Sequence, residues 1–372
     1  MIAATRLASG EGKLIAIDED GALTHRPRSA LAQALRPGDL VVANDAATLP
    51  ASLSGRHGPS LETIEVRLAG WRATGDPSRF IALAFGAGDY RVRTEDRPAP
   101  PLLAPGDRMM LGPLRAVVEE LLGHPRLLGL RFAGGRETIL AGLARHGRPI
   151  QYAHVPQRLA LWDVWTKHAA LPVAFEPPSA GFALDWSLIA AWRRRGIGFA
   201  SLTHAAGISS TGDAALDERL PFDEPYEIPH ATRAAIARTK AAGGRIIAIG
   251  TTVVRALEAA ADVTGLRAGA GVATGRIGGS TRLRVVDAIL SGVHQPGESH
   301  YELLRAFADD ATLARVSAAV EALGYRNHEF GDSMLLARQP SKAFAVQPAD
   351  LLDLPRGKSQ DFRQAKYAGT RG

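Results

Sequence analysis

The chain has 372 residues, 46% of them hydrophobic, and a formal net charge of +6 from 44 Lys and Arg against 38 Asp and Glu. This length suffices for two domains with their own cores. No apolar run approaches the roughly 20 residues that cross a bilayer, and the start of the chain lacks a basic segment followed by a long apolar core, so we expect a cytoplasmic protein without a signal peptide. The absence of cysteine excludes disulfides, thiolate catalysis and thiolate metal ligands.

The predicted secondary structure changes twice in the first half of the chain, from mixed helix and strand to short strands and back. Two apolar runs, Leu14–Asp18 and Leu40–Ala43, predict strands, and Ser29–Leu35 between them predicts a helix. From Ser54 to Gly147, short segments with strand propensity are separated by Gly, Pro and Asp clusters. The predicted strands are Leu61–Leu68, Phe80–Phe85, Tyr90–Arg93, Arg108–Leu111, Leu114–Leu121 and Arg126–Phe132. We predict an α/β main domain (residues 1–53 and 148–338, discontinuous) with an inserted small β-barrel domain (residues 54–147).

Helices and strands alternate again after Gly147. Asp185 can cap a helix over Trp186–Arg195, which Gly196 can end. Further helices are predicted over Pro229–Ala242, Tyr301–Phe307 and Ala311–Leu323, and strands over Gly198–Leu202, Leu283–Val286 and Ser333–Ala337. We expect residues 339–372 to be a disordered tail, because six Lys and Arg against three Asp give a net charge of +3 and no core pattern is present.

The stretch Arg245–Glu258 (RIIAIGTTVVRALE) is the most informative one. Its apolar start predicts a strand, Gly250 a turn, and Thr251 or Thr252 a hydroxyl N-cap for the helix that follows. Such a turn directs backbone N–H groups and the positive end of the helix dipole toward an anion. Arg255 and Glu258 lie three residues apart on one helical face, so Arg255 either pairs with Glu258 or binds a substrate carboxylate.

The same stretch resembles the GTTSVRTLE signature of the S-adenosylmethionine:tRNA ribosyltransferase-isomerase family of queuosine biosynthesis. Other segments resemble that family in the same order along the chain. They are Arg36–Asp45 (RPGDLVVAND, for RPGDLLVxND), Pro178–Gly181 (PSAG, for PTAG), Val293–Pro296 (VHQP, within NFHLP) and Phe330–Met334 (FGDSM, for YGDAM). The resemblance covers about Gly12 to Leu336 and implies the family's fold.

Several polar positions of the family motifs are replaced. Asn44–Leu53 lacks both arginines of NDTRVIPARL, and Ala180–Leu184 lacks the histidine of AGLHF. In the segment that matches TLHVGxGTF, Thr203 occupies the histidine position, and His204 follows it on the opposite face of a strand. The segment that matches HxMHxE keeps only its acid, Glu224.

The resemblance implies a reaction in which S-adenosylmethionine donates its ribosyl group to a 7-aminomethyl-7-deazaguanine base in the tRNA anticodon loop, giving epoxyqueuosine. It implies Glu224 and His294 as catalytic residues. The substrate-binding candidates are Asn44, Asp45, Gly181, Thr203, Gly250, Thr251, Thr252, Arg255, Glu258 and Asp332.

Each of these residues also has a structural interpretation. Glu224 can be a surface acid, Asp45 and Asp332 can stabilise turns, and His294 can be a structural hydrogen-bonding group. His328 and Glu329 lie near Asp332, but their spacing alone is weak evidence for a metal, and we expect no metal and no permanently bound cofactor. The expected partners are S-adenosylmethionine and tRNA; a monomer is favoured and no membrane is involved. The alternative function is a paralogue of the same fold that binds S-adenosylmethionine or another nucleoside, and acts on a small molecule or has lost catalysis.

Overall fold

The computed structural model describes residues 2–4, 12–72 and 76–340. The strands are β1 Ile2–Ala3, β2 Lys13–Ile17, β3 Leu23–Pro27, β4 Leu40–Asn44, β5 Ala46–Thr48, β6 Ser52–His57, β7 Thr63–Trp71, β8 Arg79–Phe85, β9 Arg108–Leu111, β10 Leu114–His124, β11 Leu127–Phe132, β12 Leu171–Ala174, β13 Gly198–His204, β14 Glu224–Ile228, β15 Ile246–Ile249, β16 Ala261–Asp262, β17 Gly265–Leu266, β18 Gly269–Ala273, β19 Ala288–Gly292, β20 Arg326–Asn327 and β21 Ser333–Ala337. The α-helices are α1 Leu31–Ala34, α2 Arg136–His146, α3 Trp186–Arg194, α4 Ala214–Asp217, α5 His230–Ala241, α6 Thr251–Ala259, α7 Ser299–Leu304 and α8 Asp310–Ala322.

Six consecutive strands close a β-barrel in the order β10-β11-β8-β7-β6-β9. Apolar side chains such as Leu68, Phe80 and Leu130 are fully buried and belong to one core cluster. The inserted β-barrel predicted from the sequence is therefore present. Its first strand, Ser52–His57, lies where no strand was predicted, while the predicted strand Tyr90–Arg93 is a turn. The Gly, Asp and Arg residues around that turn keep it exposed and off the barrel.

The main sheet has nine strands in the order β18-β14-β13-β4-β15-β19-β21-β2-β3. Its centre consists of the mutually parallel strands β13, β4, β15 and β19. Alternate residues point to opposite faces: Val42 and Ala248 contribute to one core cluster and Val41 and Ile247 to another. Both faces of β4, β15 and β19 are buried, which explains why these three strands are largely continuous apolar runs instead of alternating patterns.

Several local predictions are confirmed and others are wrong. Asp185 caps α3 by accepting a hydrogen bond from the Leu188 N–H at 2.7 Å. Helix α6 begins at Thr251 as predicted, but its N-cap is Gly250, and neither threonine caps it. The predicted strand Leu283–Val286 is irregular, and the strand forms later, at Ala288–Gly292.

Gln339, assigned to the tail from the sequence, is buried, and its amide donates a hydrogen bond to Thr312 Oγ1 at 3.0 Å. Residues 341–372, the rest of the predicted tail, lie outside the described residues. Within the described ranges, no helix is both long and apolar enough to span a bilayer.

Candidate active site

The candidate site lies where the central parallel strands of the main sheet end. In an open α/β sheet, ligands bind in the crevice outside the carboxyl ends of such strands. Here β4, β13, β15 and β19 end at Asn44, His204, Ile249 and Gly292. Most residues predicted for the site follow one of these four ends, so the fold brings together segments that lie far apart in the sequence.

Asn44 ties three of these strand ends to one another. Its side-chain nitrogen donates to the His204 carbonyl at 3.0 Å and to Thr252 Oγ1 at 3.2 Å. Its side-chain oxygen accepts from the N–H groups of His204 at 2.9 Å and Ala46 at 3.0 Å. Asn44 is buried with all of these bonds satisfied, so it holds the site together from below and has little capacity left for a ligand.

Asp45, the residue after Asn44, lies on the crevice side of that buried hydrogen-bond network. Its two carboxylate oxygens accept hydrogen bonds from Ser201 Oγ at 2.8 Å and Thr203 Oγ1 at 2.6 Å. Asp45 is only partly buried, and a carboxylate offers about four acceptor positions. Asp45 therefore keeps acceptor capacity that a ribose hydroxyl or an amine of a ligand can use.

The N-terminus of α6 is packed closely against the short 3-10 helix Ser179–Ala183. Gly250 has φ +86°, and a Cβ added there would lie 3.3 Å from Cβ of Ala180. A Cβ on Gly181 would lie 2.8 Å from Cγ2 of Thr166 and 3.1 Å from the His168 ring. Gly250 is needed for its positive φ in the turn before α6, and a side chain at Gly181 would collide with Thr166 and His168. The first N–H groups of α6 have no partner within the helix and lie at this turn.

Glu224 and Arg255 form a buried ion pair below the site. Arg255 Nη1 donates to Glu224 Oε2, and Glu224 Oε1 accepts from the Gly207 N–H at 2.6 Å. Arg255 also donates to the carbonyls of Ala273 at 3.1 Å and Phe222 at 3.3 Å. Burial raises the pKa of Glu224, and the charge of Arg255 opposes that rise.

His204 completes this cluster as a neutral ring. Its Nε2 lies 3.4 Å from Glu224 Oε2, yet neither ring nitrogen has a hydrogen-bond partner among the described residues. Burial, and secondarily the charge of Arg255, lowers the pKa of His204 to about 3, so the contact is not an ion pair. His204 faces away from Thr203 and Asp45, as the alternation of side chains along a strand predicts.

The predicted pairing of Arg255 with Glu258 is wrong. Glu258 instead accepts the backbone N–H groups of Arg284 at 2.7 Å, Val285 at 3.0 Å and Val286 at 2.9 Å. Helical spacing permits the pair with Arg255, but the carboxylate of Glu258 instead accepts three backbone N–H groups that have no partner within a strand or helix. Glu258 thereby fixes the segment that leads into β19.

His294 lies beyond the end of β19, partly accessible to solvent. Its Nε2 is 3.0 Å from Ser291 Oγ and its Nδ1 is 3.4 Å from Glu298 Oε2. The His300 ring stacks on it with ring centroids 4.8 Å apart. Burial lowers the pKa of His300 to about 3, which keeps that second ring neutral. His294 is therefore an imidazole oriented by a carboxylate, the arrangement that general bases use.

Asp332 is a buried structural group. Its oxygens accept the backbone N–H groups of Lys13 and Arg326, both at 2.8 Å. Arg28 Nη2 lies 3.8 Å and Arg326 Nη2 3.7 Å from its Oδ1. These bonds connect β2 and β20 to the turn before β21, below a narrow cleft that Ser179, Ser291 and His328 help to line.

The structure adds polar residues that the sequence did not single out. Tyr152 donates a hydrogen bond to Glu176, which also accepts the Ser209 N–H at 3.1 Å. Burial raises the pKa of Glu176 to about 7, although the hydrogen bonds from Ser209 and Tyr152 oppose that rise. His154 bonds Glu329 at 2.8 Å and stacks on His328. The sequence had already pointed to His328 and Glu329 near Asp332, and for Glu176 the local signal is its position two residues before Pro178–Gly181.

Comparison with known proteins assigns the chain to a family. The family model described as queuosine biosynthesis protein matches residues 3–336. The chain belongs to this family. It is 30% identical over 334 residues to the S-adenosylmethionine:tRNA ribosyltransferase-isomerase of Thiobacillus denitrificans, covering 88% of this chain and 91% of that protein. The protein of the same name from Gloeobacter violaceus is 34% identical over 330 residues, covering 87% and 88%.

A third protein and one solved structure are also similar to this chain. The S-adenosylmethionine:tRNA ribosyltransferase-isomerase of Azoarcus sp. is 31% identical and covers 91% of this chain and 94% of its own. The crystal structure of the S-adenosylmethionine tRNA ribosyltransferase from Thermotoga maritima has a TM-score of 0.48 and 21% identity, covering 90% and 95%. The family predicted from the motifs is thus confirmed, and its named members are transferases and isomerases.

Proposed function

We propose that this protein transfers the ribosyl group of S-adenosylmethionine to a 7-aminomethyl-7-deazaguanine base in the anticodon loop of tRNA and isomerises it to epoxyqueuosine. The observation that carries the proposal is the match to the family over residues 3–336. It is supported by three relatives, each named S-adenosylmethionine:tRNA ribosyltransferase-isomerase. The full-length matches favour this activity over a paralogue that acts on a small molecule. A tRNA substrate also supports a cytoplasmic enzyme.

Within this proposal, Asp45 and the N-terminus of α6 bind the donor. S-adenosylmethionine carries a carboxylate, a ribose and a sulfonium. The free N–H groups after Gly250, with the hydroxyls of Thr251 and Thr252, suit the carboxylate. Asp45 is oriented by Ser201 and Thr203 and suits the ribose hydroxyls or the amine.

His294 is the proton acceptor in this proposal, and Glu298 orients it. The chemistry needs removal of a proton beside the sulfonium, for which a general base must come within hydrogen-bond distance of the substrate. His294 is partly accessible, whereas Glu224 is 6% exposed and binds Arg255 and Gly207. We therefore assign Glu224 a positioning role. It holds Arg255 in place and thereby fixes helix α6, whose N-terminus is part of the site.

The experiment is to incubate the full chain with labelled S-adenosylmethionine and tRNA that carries the aminomethyl base. Release of adenine and methionine, with label in the tRNA, is the expected result. His294→Asn should lower the rate by about 10²–10⁴-fold, the usual effect of removing a general base. His230→Asn, at the exposed start of α5, is the control. A wild-type chain that binds S-adenosylmethionine but transfers nothing to this tRNA would refute the proposal.

A further inference from the structure

Three side chains outside the proposed reaction converge at the rim of the cleft. His154 comes from the segment between α2 and β12, and His328 and Glu329 come from the turn before β21. One ligand atom from each of the three residues lies within 4.8 Å of the other two. His154 Nε2 and Glu329 Oε2 are 2.8 Å apart, and the two imidazole rings stack with centroids at 4.3 Å.

We propose that His154, His328 and Glu329 form a binding site for a divalent transition-metal ion of the Zn²⁺ class. Two imidazole nitrogens and one carboxylate are the ligands that Zn²⁺ accepts in sites with an open fourth position. Bond lengths of about 2.0–2.1 Å place tetrahedral ligand atoms about 3.3 Å from one another. The His154–Glu329 spacing of 2.8 Å is shorter than this and every spacing is at most 4.8 Å, so small side-chain rotations suffice.

The surroundings of the cluster fix its ligands. Tyr152 stacks on His154 with an interplanar angle of 9° and donates its hydroxyl hydrogen bond to Glu176. A tyrosine anchored in this way restricts rotation of the His154 ring. Outer groups that orient the ligands in this manner contribute strongly to metal affinity.

The backbone at His328 is held in an unusual conformation. Its φ is +64°, in the left-handed region that asparagine, aspartate and histidine occupy more often than other residues with a side chain. In this conformation the His328 ring stacks on His154 with an interplanar angle of 21°, and the residue remains exposed to solvent, from which an ion can reach it.

The cluster is also accessible to an ion. The side chains of His154 and Glu329 are 19% and 27% exposed. The nitrogen donors favour transition metals over Mg²⁺ and Ca²⁺, which prefer oxygen ligands.

The test is a titration of the full chain, stripped with a chelator, with Zn²⁺ alone by calorimetry. We expect one ion per chain and at least about tenfold weaker binding in His154→Gln, Glu329→Gln and His328→Asn; asparagine is chosen because it tolerates positive φ. Mg²⁺ and Ca²⁺ should not compete. Co²⁺ should give the visible absorption bands of a low-coordinate complex, a readout independent of tRNA modification.

The matched control is His124→Gln. His124 forms a similar pair with Asp213 at 3.3 Å but is in no three-ligand cluster among the residues that the structure describes, so its loss should leave Zn²⁺ affinity unchanged. Thermal melts of every variant identify unfolding, and Glu329→Gln serves if His154→Gln is unfolded. No stoichiometric binding, affinity equal in all variants, or equal binding of Mg²⁺ would each overturn the proposal, leaving an ordinary His–Glu hydrogen bond.

Discussion

Arg255 of α6 and Glu224 of β14 form an ion pair that is buried on both sides, with residue exposures of 7% and 6%. The pair joins a helix on one face of the main sheet to an antiparallel strand beside the parallel core. Charges buried this deeply persist only when each is paired and hydrogen-bonded. The carbonyls around Arg255 and the Gly207 N–H on Glu224 meet that requirement.

Glu224→Gln should lower the free energy of unfolding by about 3 kcal/mol, because it leaves the buried Arg255 without its counter-charge. Glu227→Gln, on the same strand but exposed, should change it by less than about 0.5 kcal/mol. Urea unfolding measures both. If Glu224 only positions Arg255, the folded variant keeps the wild-type pH–rate profile. Loss of the acidic limb of that profile, at unchanged stability, would instead identify Glu224 as the base.

Thr252→Val should weaken binding of S-adenosylmethionine by about 1 kcal/mol, because it removes the hydroxyl that Asn44 contacts at 3.2 Å and that faces the crevice. Thr251→Val is the matched change one residue earlier, at the same helix terminus. Calorimetry with S-adenosylmethionine distinguishes the two hydroxyls. Equal affinities for wild type and both variants would remove these hydroxyls from the donor site.

Glu176 should make the protein less stable as the pH rises. Its pKa is about 7 in the fold against 4.5 when unfolded, so the folded state binds the proton more tightly. The stabilisation is complete below the unfolded pKa and is lost as the pH rises through 7. Between pH 5.5 and 8.5 the loss is about 2 kcal/mol.

The variant Glu176→Gln isolates this effect. His204 and His300, with pKa values of about 3 in the fold, act in the opposite direction: they lower stability as the pH falls below their unfolded value of 6.5. These contributions are shared by both proteins and cancel in the difference. We expect the wild type to lose about 2 kcal/mol more than the variant from pH 5.5 to 8.5. Parallel pH–stability curves would contradict this.

Asp332→Asn should lower the free energy of unfolding by about 1–3 kcal/mol. An asparagine has a single side-chain oxygen, so it cannot accept both backbone N–H groups as the two carboxylate oxygens do, and the negative charge beside Arg28 is lost. The affinity of the folded variant for S-adenosylmethionine should stay within about twofold of wild type, a difference below about 0.5 kcal/mol. Asp262→Asn, at the end of strand β16 with an exposed side chain, is the control. A selective loss of affinity at full stability would assign Asp332 to the ligand.

Local patterns in the sequence were sufficient to predict much of the fold. The strand, glycine and helix over Ile246–Ala259 follow from an apolar run, a breaker and an amphipathic helix pattern. The cap at Asp185 and the strand Ser333–Ala337 are also local features. The motifs identified the family because glycine, proline and apolar positions, which the fold requires, are retained in order along the chain.

Only the tertiary structure decided which polar groups meet. Spacing on a helix offered Glu258 to Arg255, but the partner is Glu224, 31 residues earlier in the chain and brought close by the pairing of β13 with β14. His154 meets His328 and Glu329 across more than 170 residues. Periodicity reports only which face of its own element a side chain occupies, whereas burial, pKa and partner choice depend on elements distant in sequence.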